Sequence, residues 1–231
     1  MDATLAPADK PLFLERQAQQ FRPKLRAGLL VGALLFPLYA GWDWLASPHT
    51  LRHTLLVRLV VCLGYLALYA VSRSEAAQKR AELLLFSGIV LGSGAVVVLV
   101  DGAARAEVLA VGSLMLMVVV IGALAHSVRL AAWSYLLLVA TANAMALALG
   151  QQPFFFLAVN VFVISASVVG GMLASVSERL ARRAFALERQ LQRIASEDAL
   201  SGARTRRSFL DEARSELARA QRLGVPASLL M

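Results

Sequence analysis

Residues 82–100 read ELLLFSGIVLGSGAVVVLV, and the only charged residue in this stretch is Glu82, at its first position. An α-helix rises about 1.5 Å per residue, so a run of this length crosses the roughly 30 Å hydrocarbon core of a bilayer. The run is too long, and too poor in alternating polar residues, for a strand of a membrane barrel. The stretch therefore predicts a transmembrane helix.

Five further stretches resemble this one in length and composition, so an all-α bundle of six transmembrane helices is predicted over residues 25–176. The chain is 58% hydrophobic and only 16% charged, which is too apolar for an ordinary soluble domain. Its charges are too sparse for a proton relay, and no pair of broken helices recurs in its two halves, so a sensor is favoured over a transporter. The predicted spans are residues 25–46, 54–72, 82–100, 106–126, 130–149 and 153–176.

The formal net charge of +8 does not indicate a nucleic-acid partner, because the Lys and Arg residues lie at helix ends and in the tails. By the positive-inside rule, this distribution places both termini in the cytoplasm, including a tail over residues 1–24. The turns at residues 47–53, 101–107 and 150–152 then face outwards. The orienting residues are Lys10, Arg16, Arg22, Lys24, Arg26, Arg73, Lys79, Arg80, Arg129, Arg179, Arg182 and Arg183.

Two ionisable residues lie at similar depth near the outer side, Asp43 in the first span and Arg58 in the second. Ionisable residues inside a membrane are costly and tend to face the bundle interior, so an intramembrane ion pair is one interpretation. The other is an interfacial belt of Trp42 and Trp44, in which Asp43 is hydrated and Arg58 snorkels outwards.

Other polar and small residues give weaker signals. His49 and His53 are spaced as two ligands on one helical face, but no third ligand is near, so no metal site is predicted. Asn143 and Asn160 are expected to hydrogen-bond between helices, because an unsatisfied amide in hydrocarbon is costly. Close helix approach is expected at the small residues Gly88, Gly92, Gly94, Gly170 and Gly171.

The sixth span runs without a helix breaker into a predicted signalling helix over residues 177–197. Apolar residues recur there with a mean spacing near 3.5, which indicates a coiled-coil seam and a homodimer, with a stutter at Leu180 and Ala184. The alternative is that this short run packs on its own downstream domain. The seam consists of Leu173, Val176, Leu180, Ala184, Leu187, Leu191 and Ile194.

Residues 198–231 change in character and predict the start of an α/β domain. A turn containing Gly202 precedes Thr205, which suits the N-cap of a helix beginning near Arg206. Gly224 and Pro226 end that helix, and residues 228–231 begin an apolar strand. The helix face expected to pack on a core consists of Phe209, Leu210, Ala213, Leu217 and Ala220.

The start of this segment resembles the entry to GGDEF domains, the catalytic domains of diguanylate cyclases, which usually open with D-x-L-T-G-L-x-N-R-R-x-F. Ser201 keeps the hydroxyl of the usual Thr, while Ala203 and Thr205 depart from the usual Leu and Asn. The resemblance covers about the last 36 residues. The matching residues, which we interpret as a domain-entry and coupling motif, are Asp198, Leu200, Gly202, Arg206, Arg207 and Phe209.

This resemblance implies the sensor region of a bacterial inner-membrane diguanylate cyclase, a nucleotidyltransferase that condenses two GTP molecules into cyclic di-GMP with Mg²⁺. In that family the catalytic residues follow the first strand, so we expect an incomplete domain with no catalytic residue and no cofactor of its own. GTP and Mg²⁺ would bind only the complete protein. The alternatives are a non-catalytic GGDEF-type receptor and the sensor region of another membrane nucleotide cyclase. A histidine kinase is disfavoured because no His follows His126.

Overall fold

The computed structural model describes residues 9–46, 48–74, 80–100, 106–196, 203 and 205–226. These residues are almost entirely helical and contain no strand. They divide into two compact units, one within residues 9–180 and the other within residues 181–226. The helices are α1 (Lys10–Leu38), α2 (Ala40–Ala46), α3 (Leu51–Val71), α4 (Ala81–Val100), α5 (Ala106–Leu124), α6 (Val128–Ala148), α7 (Pro153–Ser196) and α8 (Arg206–Leu223).

Among the described residues, five stretches of helix are long and apolar enough to cross a membrane. They are Lys10–Leu45, Leu51–Val71, Ala81–Val100, Val128–Ala148 and Pro153–Leu191. The predicted fourth span, residues 106–126, corresponds to α5, which ends at Leu124 and contributes the shorter apolar stretch Ala110–Leu124. The chain is therefore a membrane protein, and the count of six spans stays a prediction.

The apolar stretch 82–100 forms most of α4, the central helix of the bundle. In α4, 61% of the most apolar window is buried inside the chain, against 18–39% in the other four candidate spans. A helix that is apolar on all sides can be covered by other helices or by lipid. Neighbouring helices cover most of α4, whereas the outer helices bury one stripe. Large apolar side chains such as Leu34, Leu63 and Leu147 point outwards from those helices, as expected for a surface that faces lipid.

Most of the predicted N-terminal tail is helical, because α1 begins at Lys10. Phe13, Gln17 and Phe21 are buried at intervals of four, and the same stripe continues through Leu25 and Leu29. This segment is therefore a helix that packs on the bundle.

The first predicted span, residues 25–46, is two helices and not one. Pro37 lies in the last turn of α1 and has no N–H to donate to the preceding turn. The chain leaves the helix at Tyr39 and resumes as the short α2, and the 3₁₀ turn Pro48–Thr50 then leads into α3. This interruption sets the position of Asp43 relative to α3.

A pair of hydrogen bonds and a close backbone contact tie α7 to its neighbours in the bundle. The amides of Asn143 and Asn160 exchange hydrogen bonds of 3.1 and 2.9 Å, which confirms the predicted interhelical bonding. A Cβ atom added at Gly122 would lie 2.7 Å from the carbonyl oxygen of Gly170, so α5 and α7 approach here with backbone against backbone. The neighbouring Gly171 has open space around it and does not share this role.

The second unit contains α8, which begins and ends where the sequence predicts. The Phe209 N–H donates to the Thr205 carbonyl oxygen at 2.9 Å, so Thr205 occupies the N-cap position. Gly224 has a φ of 65°, and the Val225 N–H donates to the Ala220 carbonyl oxygen in the usual glycine C-cap arrangement.

The apolar face of α8 is not covered in the part of the chain that the structure describes. Phe209, Leu210 and Leu217 are exposed, so the core expected against this face is not formed by the described residues. The predicted strand at residues 228–231 lies outside them.

Candidate functional site

The structure brings Asp43 and Arg58 together in a buried ion pair. The Arg58 Nε donates to Asp43 Oδ2 at 2.6 Å, and Nη2 donates to Oδ1 at 2.8 Å. The side chains are 10% exposed for Arg58 and 8% exposed for Asp43. These exposures do not fit the alternative of a hydrated Asp43 and a snorkelling Arg58. The planar guanidinium matches the carboxylate with two parallel bonds, which fixes the relative orientation of α2 and α3.

A third bond of the guanidinium reaches the end of α1. Arg58 Nη1 donates to the Phe36 carbonyl oxygen at 3.2 Å. The last four carbonyl groups of a helix have no partner in the helix itself, and Phe36 lies in the last turn of α1. Arg58 also lies over the Tyr39 ring, with its Cζ 5.8 Å from the ring centroid. One arginine on α3 therefore holds α1, the break at Tyr39 and α2 together.

A cavity of about 160 Å³ extends from this pair into the bundle. Its apolar walls come from α1, α3, α4 and α5 and consist mostly of aliphatic side chains and glycines, and Asp43 of α2 lies at its polar end. Its polar lining includes Tyr39, Asp43, Arg58 and Ser113. The ion pair is thus the polar end of a mainly apolar chamber.

A second polar cluster lies at the opposite ends of these helices, around the turn between α5 and α6. Gln17 Nε2 donates to the His126 carbonyl oxygen at 2.9 Å, and the His126 Nε2 lies 3.5 Å from Glu82 Oε1. The Phe21 ring packs on the imidazole with centroids 5.0 Å apart. Burial lowers the pKa of His126, and Glu82 opposes this shift.

The same turn is joined to α7 by a side-chain cap. The Val128 N–H, the first of α6, donates to Glu178 Oε2 at 2.9 Å, and Ser127 accepts from the Leu130 N–H as the N-cap residue. Carboxylates are favourable at a helix N-terminus because of the helix dipole. Glu178 therefore connects the α5–α6 turn to the part of α7 that contains the predicted seam.

The predicted seam residues are exposed wherever the structure describes their side chains, namely at Leu173, Val176, Leu180, Ala184, Leu187 and Leu191. The structure does not describe the side chain of the seventh seam residue, Ile194. Phe185, which is not a seam residue, is buried. The helix α7 thus presents an apolar stripe over this length that the described residues of the same chain leave uncovered.

The domain-entry motif is only partly described. Asp198, Leu200, Ser201 and Gly202 lie outside the described residues, as does the side chain of Arg207. Arg206 is the first residue of α8, and Phe209 is exposed one turn later.

His49 and His53 lie on different elements, since His49 is in the 3₁₀ turn Pro48–Thr50 and His53 is in α3. Within the described ranges, no group of three or more His, Cys, Asp or Glu side chains is placed to hold a metal ion.

Sequence reasoning missed two of the groups at these sites. The Phe36 carbonyl is a backbone group, so no residue type marks it, although Pro37 marks the end of its helix. Gln17 was hidden among charged residues, but its spacing of four from both Phe13 and Phe21 was a usable signal for a buried position.

Comparison with known proteins places most of this bundle in one family. The MASE8 family model matches residues 41–192, a stretch that includes the Asp43–Arg58 pair and α7 as far as Leu191. No curated protein matches the chain.

Proposed function

The chain belongs to the MASE8 family and is a membrane sensory input domain, and we propose that its output is a diguanylate cyclase domain that begins at Asp198. In this proposal the bundle senses a signal at the membrane and α7 carries it to the cytoplasm. The complete protein would condense two GTP molecules into cyclic di-GMP.

The observation that carries the proposal is the motif at residues 198–209, which comes directly after α7 and whose matching residues have the spacing of the entry to a GGDEF domain. The helix that starts at Arg206 and is capped at Gly224 supports it, since the same sequence pattern predicts both ends of that helix. GTP and Mg²⁺ would be held by the catalytic part of the complete protein. In this chain the motif would couple that part to α7.

A parallel homodimer through the seam is the second part of the proposal. The cyclase reaction needs two GTP-bearing half-sites that face each other, so the geometry of the dimer is the quantity that a sensor can regulate. The exposed stripe on α7 supports this part, because burying a Leu side chain against a partner contributes about 1.5–3 kcal/mol. The stutter at Leu180 and Ala184 gives the coil a position at which its packing can change.

The proposed orientation has six spans in the bacterial cytoplasmic membrane and both termini in the cytoplasm. The apolar helix α5 would cross as the fourth span. The basic residues that follow the second and sixth spans support this arrangement through the positive-inside rule.

The test uses membranes that contain the full-length protein, supplied with GTP and Mg²⁺ or with ATP and Mg²⁺. We expect cyclic di-GMP from GTP and no cyclic nucleotide from ATP. Leu187→Asp should strongly reduce the product, because it places a charge in the seam, whereas Arg189→Asp, on the outer side of the predicted coil, should retain it.

Three results would contradict the proposal. Cyclic AMP from ATP would indicate another membrane nucleotide cyclase. GTP binding without turnover would indicate a receptor. Equal activity of the Leu187→Asp and Arg189→Asp variants would remove the dimeric coil from the mechanism.

A further inference from the structure

The cavity below the Asp43–Arg58 pair has the size of a binding site for a small molecule. Its volume is about 160 Å³. An engineered apolar cavity of about 150 Å³ in another protein stays dry and binds benzene. The present cavity is lined mainly by aliphatic groups such as Leu29, Ile89 and Ile121, so water would find few hydrogen-bonding partners there. It therefore suits an apolar group about as large as one aromatic ring.

The polar end of the cavity can bind one hydrogen-bonding head. A guanidinium has five N–H groups, and the bonds to Asp43 and Phe36 use three of those of Arg58. A carboxylate has about four acceptor positions, and Arg58 occupies two of those of Asp43. With respect to the residues that the structure describes, both a donor and an acceptor therefore remain for a hydroxyl group.

The charge of the site selects against an ionised ligand. Asp43 and Arg58 neutralise each other, so a charged head would bring an uncompensated charge into a buried, weakly polar environment. A neutral alcohol or phenol keeps the site neutral and still satisfies the remaining hydrogen-bonding positions.

The walls of the cavity show where such a molecule would enter. Val31 on α1 and Leu116 on α5 both line the cavity and are also exposed on the outer surface of the bundle. Both residues lie in apolar stretches of helix, so a molecule dissolved in the bilayer would meet the wall of the cavity at these two side chains rather than from water. A ligand that dissolves in the bilayer can reach the site sideways.

We propose that this cavity binds a small neutral amphiphile from the bilayer, with a ring-sized apolar body and a single hydroxyl head that contacts Asp43 and Arg58. This inference rests on the proposed function only where it treats the bound molecule as the signal that the bundle senses. The binding itself can be measured without any cyclase activity.

The test uses the full chain in lipid nanodiscs and a radiolabelled diazirine derivative of benzyl alcohol as a photoreactive probe. We expect saturable labelling of peptides from α1 and α5, which excess benzyl alcohol removes. Ser113→Leu should abolish this labelling by filling the cavity. The matched control is Gly112→Leu, which adds the same side chain at the next position, where the structure has open space.

The role of the ion pair is tested by comparing benzyl alcohol with toluene as competitors, each corrected for its partition into the lipid. We expect the alcohol to compete about tenfold better, the value of one hydrogen bond to charged groups. The double variant Asp43→Leu with Arg58→Met should lose this preference while toluene still competes.

The outcomes separate this inference from the proposed function. Labelling that does not saturate, or that is equal in Ser113→Leu and Gly112→Leu, would overturn the binding site even if the full-length protein makes cyclic di-GMP. Labelling of an unidentified lipid site would appear as label that benzyl alcohol does not displace, and it would overturn the inference as well. Saturable labelling in a protein that makes no cyclic di-GMP would contradict the proposed output alone.

Discussion

The membrane bundle and the C-terminal unit differ in which side chains find partners within the chain and which are exposed. In the bundle, the polar side chains of Asp43, Arg58, Asn143 and Asn160 find partners within the chain, while large apolar side chains point outwards. In residues 181–226 the charged side chains are mostly exposed, and so are apolar ones such as Leu187 and Leu191.

The difference follows from the solvent on each side. In lipid an exposed Leu costs nothing, whereas an unpaired polar group costs several kcal/mol, so a single chain must complete its polar contacts. In water the order is reversed, and the free energy falls when a partner covers an exposed apolar stripe. The bundle thus pairs its buried Asp43 and Arg58 and its two interhelical asparagines within the chain, whereas the α7 stripe implies a second surface.

The largest effect is expected from breaking the ion pair. Asp43→Leu leaves the Arg58 guanidinium buried without its carboxylate, which should lower the free energy of unfolding by about 3–5 kcal/mol. The double variant Asp43→Leu with Arg58→Met removes both charges and should lie much closer to the wild type. Unfolding titrations in mixed micelles measure both. A single variant as stable as the double one would show that the pair is not buried.

The next effect concerns the contact between α5 and α7. A Cβ atom at Gly170 would lie 3.0 Å from Val118 Cγ1 and closer still to the Tyr135 hydroxyl, so Gly170→Ala should cost about 1–3 kcal/mol. Gly171→Ala is the matched control, because nothing lies within 4 Å of the added atom. The same unfolding titration distinguishes them, and equal stabilities would argue against the close approach of the two helices.

A smaller effect is expected at the asparagine pair. Interhelical hydrogen bonds in membranes contribute on average about 0.6 kcal/mol each, with a maximum near 1.7. A double-mutant cycle of Asn143→Ala and Asn160→Ala should therefore give a coupling free energy of about 1 kcal/mol for the two bonds. Thr141→Ala with Asn160→Ala is the control cycle, since Thr141 bonds only within its own helix. Coupling near zero at Asn143 would contradict the exchange of bonds.

The smallest effect is a dependence on pH from His126, which lies in a turn outside the spanning helices. Burial is the main cause that lowers its pKa, Glu82 and Glu178 raise it, and Lys24 lowers it further. The folded chain therefore keeps the imidazole neutral where the unfolded chain binds a proton. Stability should be constant above pH about 6.5 and should decline as the pH falls below that value. The decline should be weaker in His126→Gln, and an equal decline would assign it to other groups.

The parts of this fold that follow from single stretches of sequence could be predicted. Long apolar runs place the membrane helices, and Thr205 and Gly224 mark the ends of α8. The cost of an unpaired amide in hydrocarbon predicts that Asn143 and Asn160 bond across helices. The similar depths of Asp43 and Arg58 suggested their pairing, although a hydrated alternative stayed open.

The remaining features depend on which helices become neighbours, and the sequence does not state that. The cavity exists because four helices meet around it, and no local pattern encodes its volume. Gly122 becomes a contact only because Gly170 lies opposite it. An amphipathic segment over residues 12–21 and a plain cytoplasmic tail fit the sequence equally well, and the packing of this segment on the bundle depends on which helices lie beside it.

The most direct test of the account is whether a second copy covers the α7 stripe. In a background with Cys62→Ala, Leu187→Cys and Arg189→Cys are compared by disulfide formation in native membranes under mild oxidation. Seam positions of a parallel dimer bring the two Cα atoms within about 7 Å, whereas outer positions do not. The account predicts dimers linked far more strongly through position 187 than through position 189. Equal linkage at both positions, or stronger linkage at 189, would contradict it.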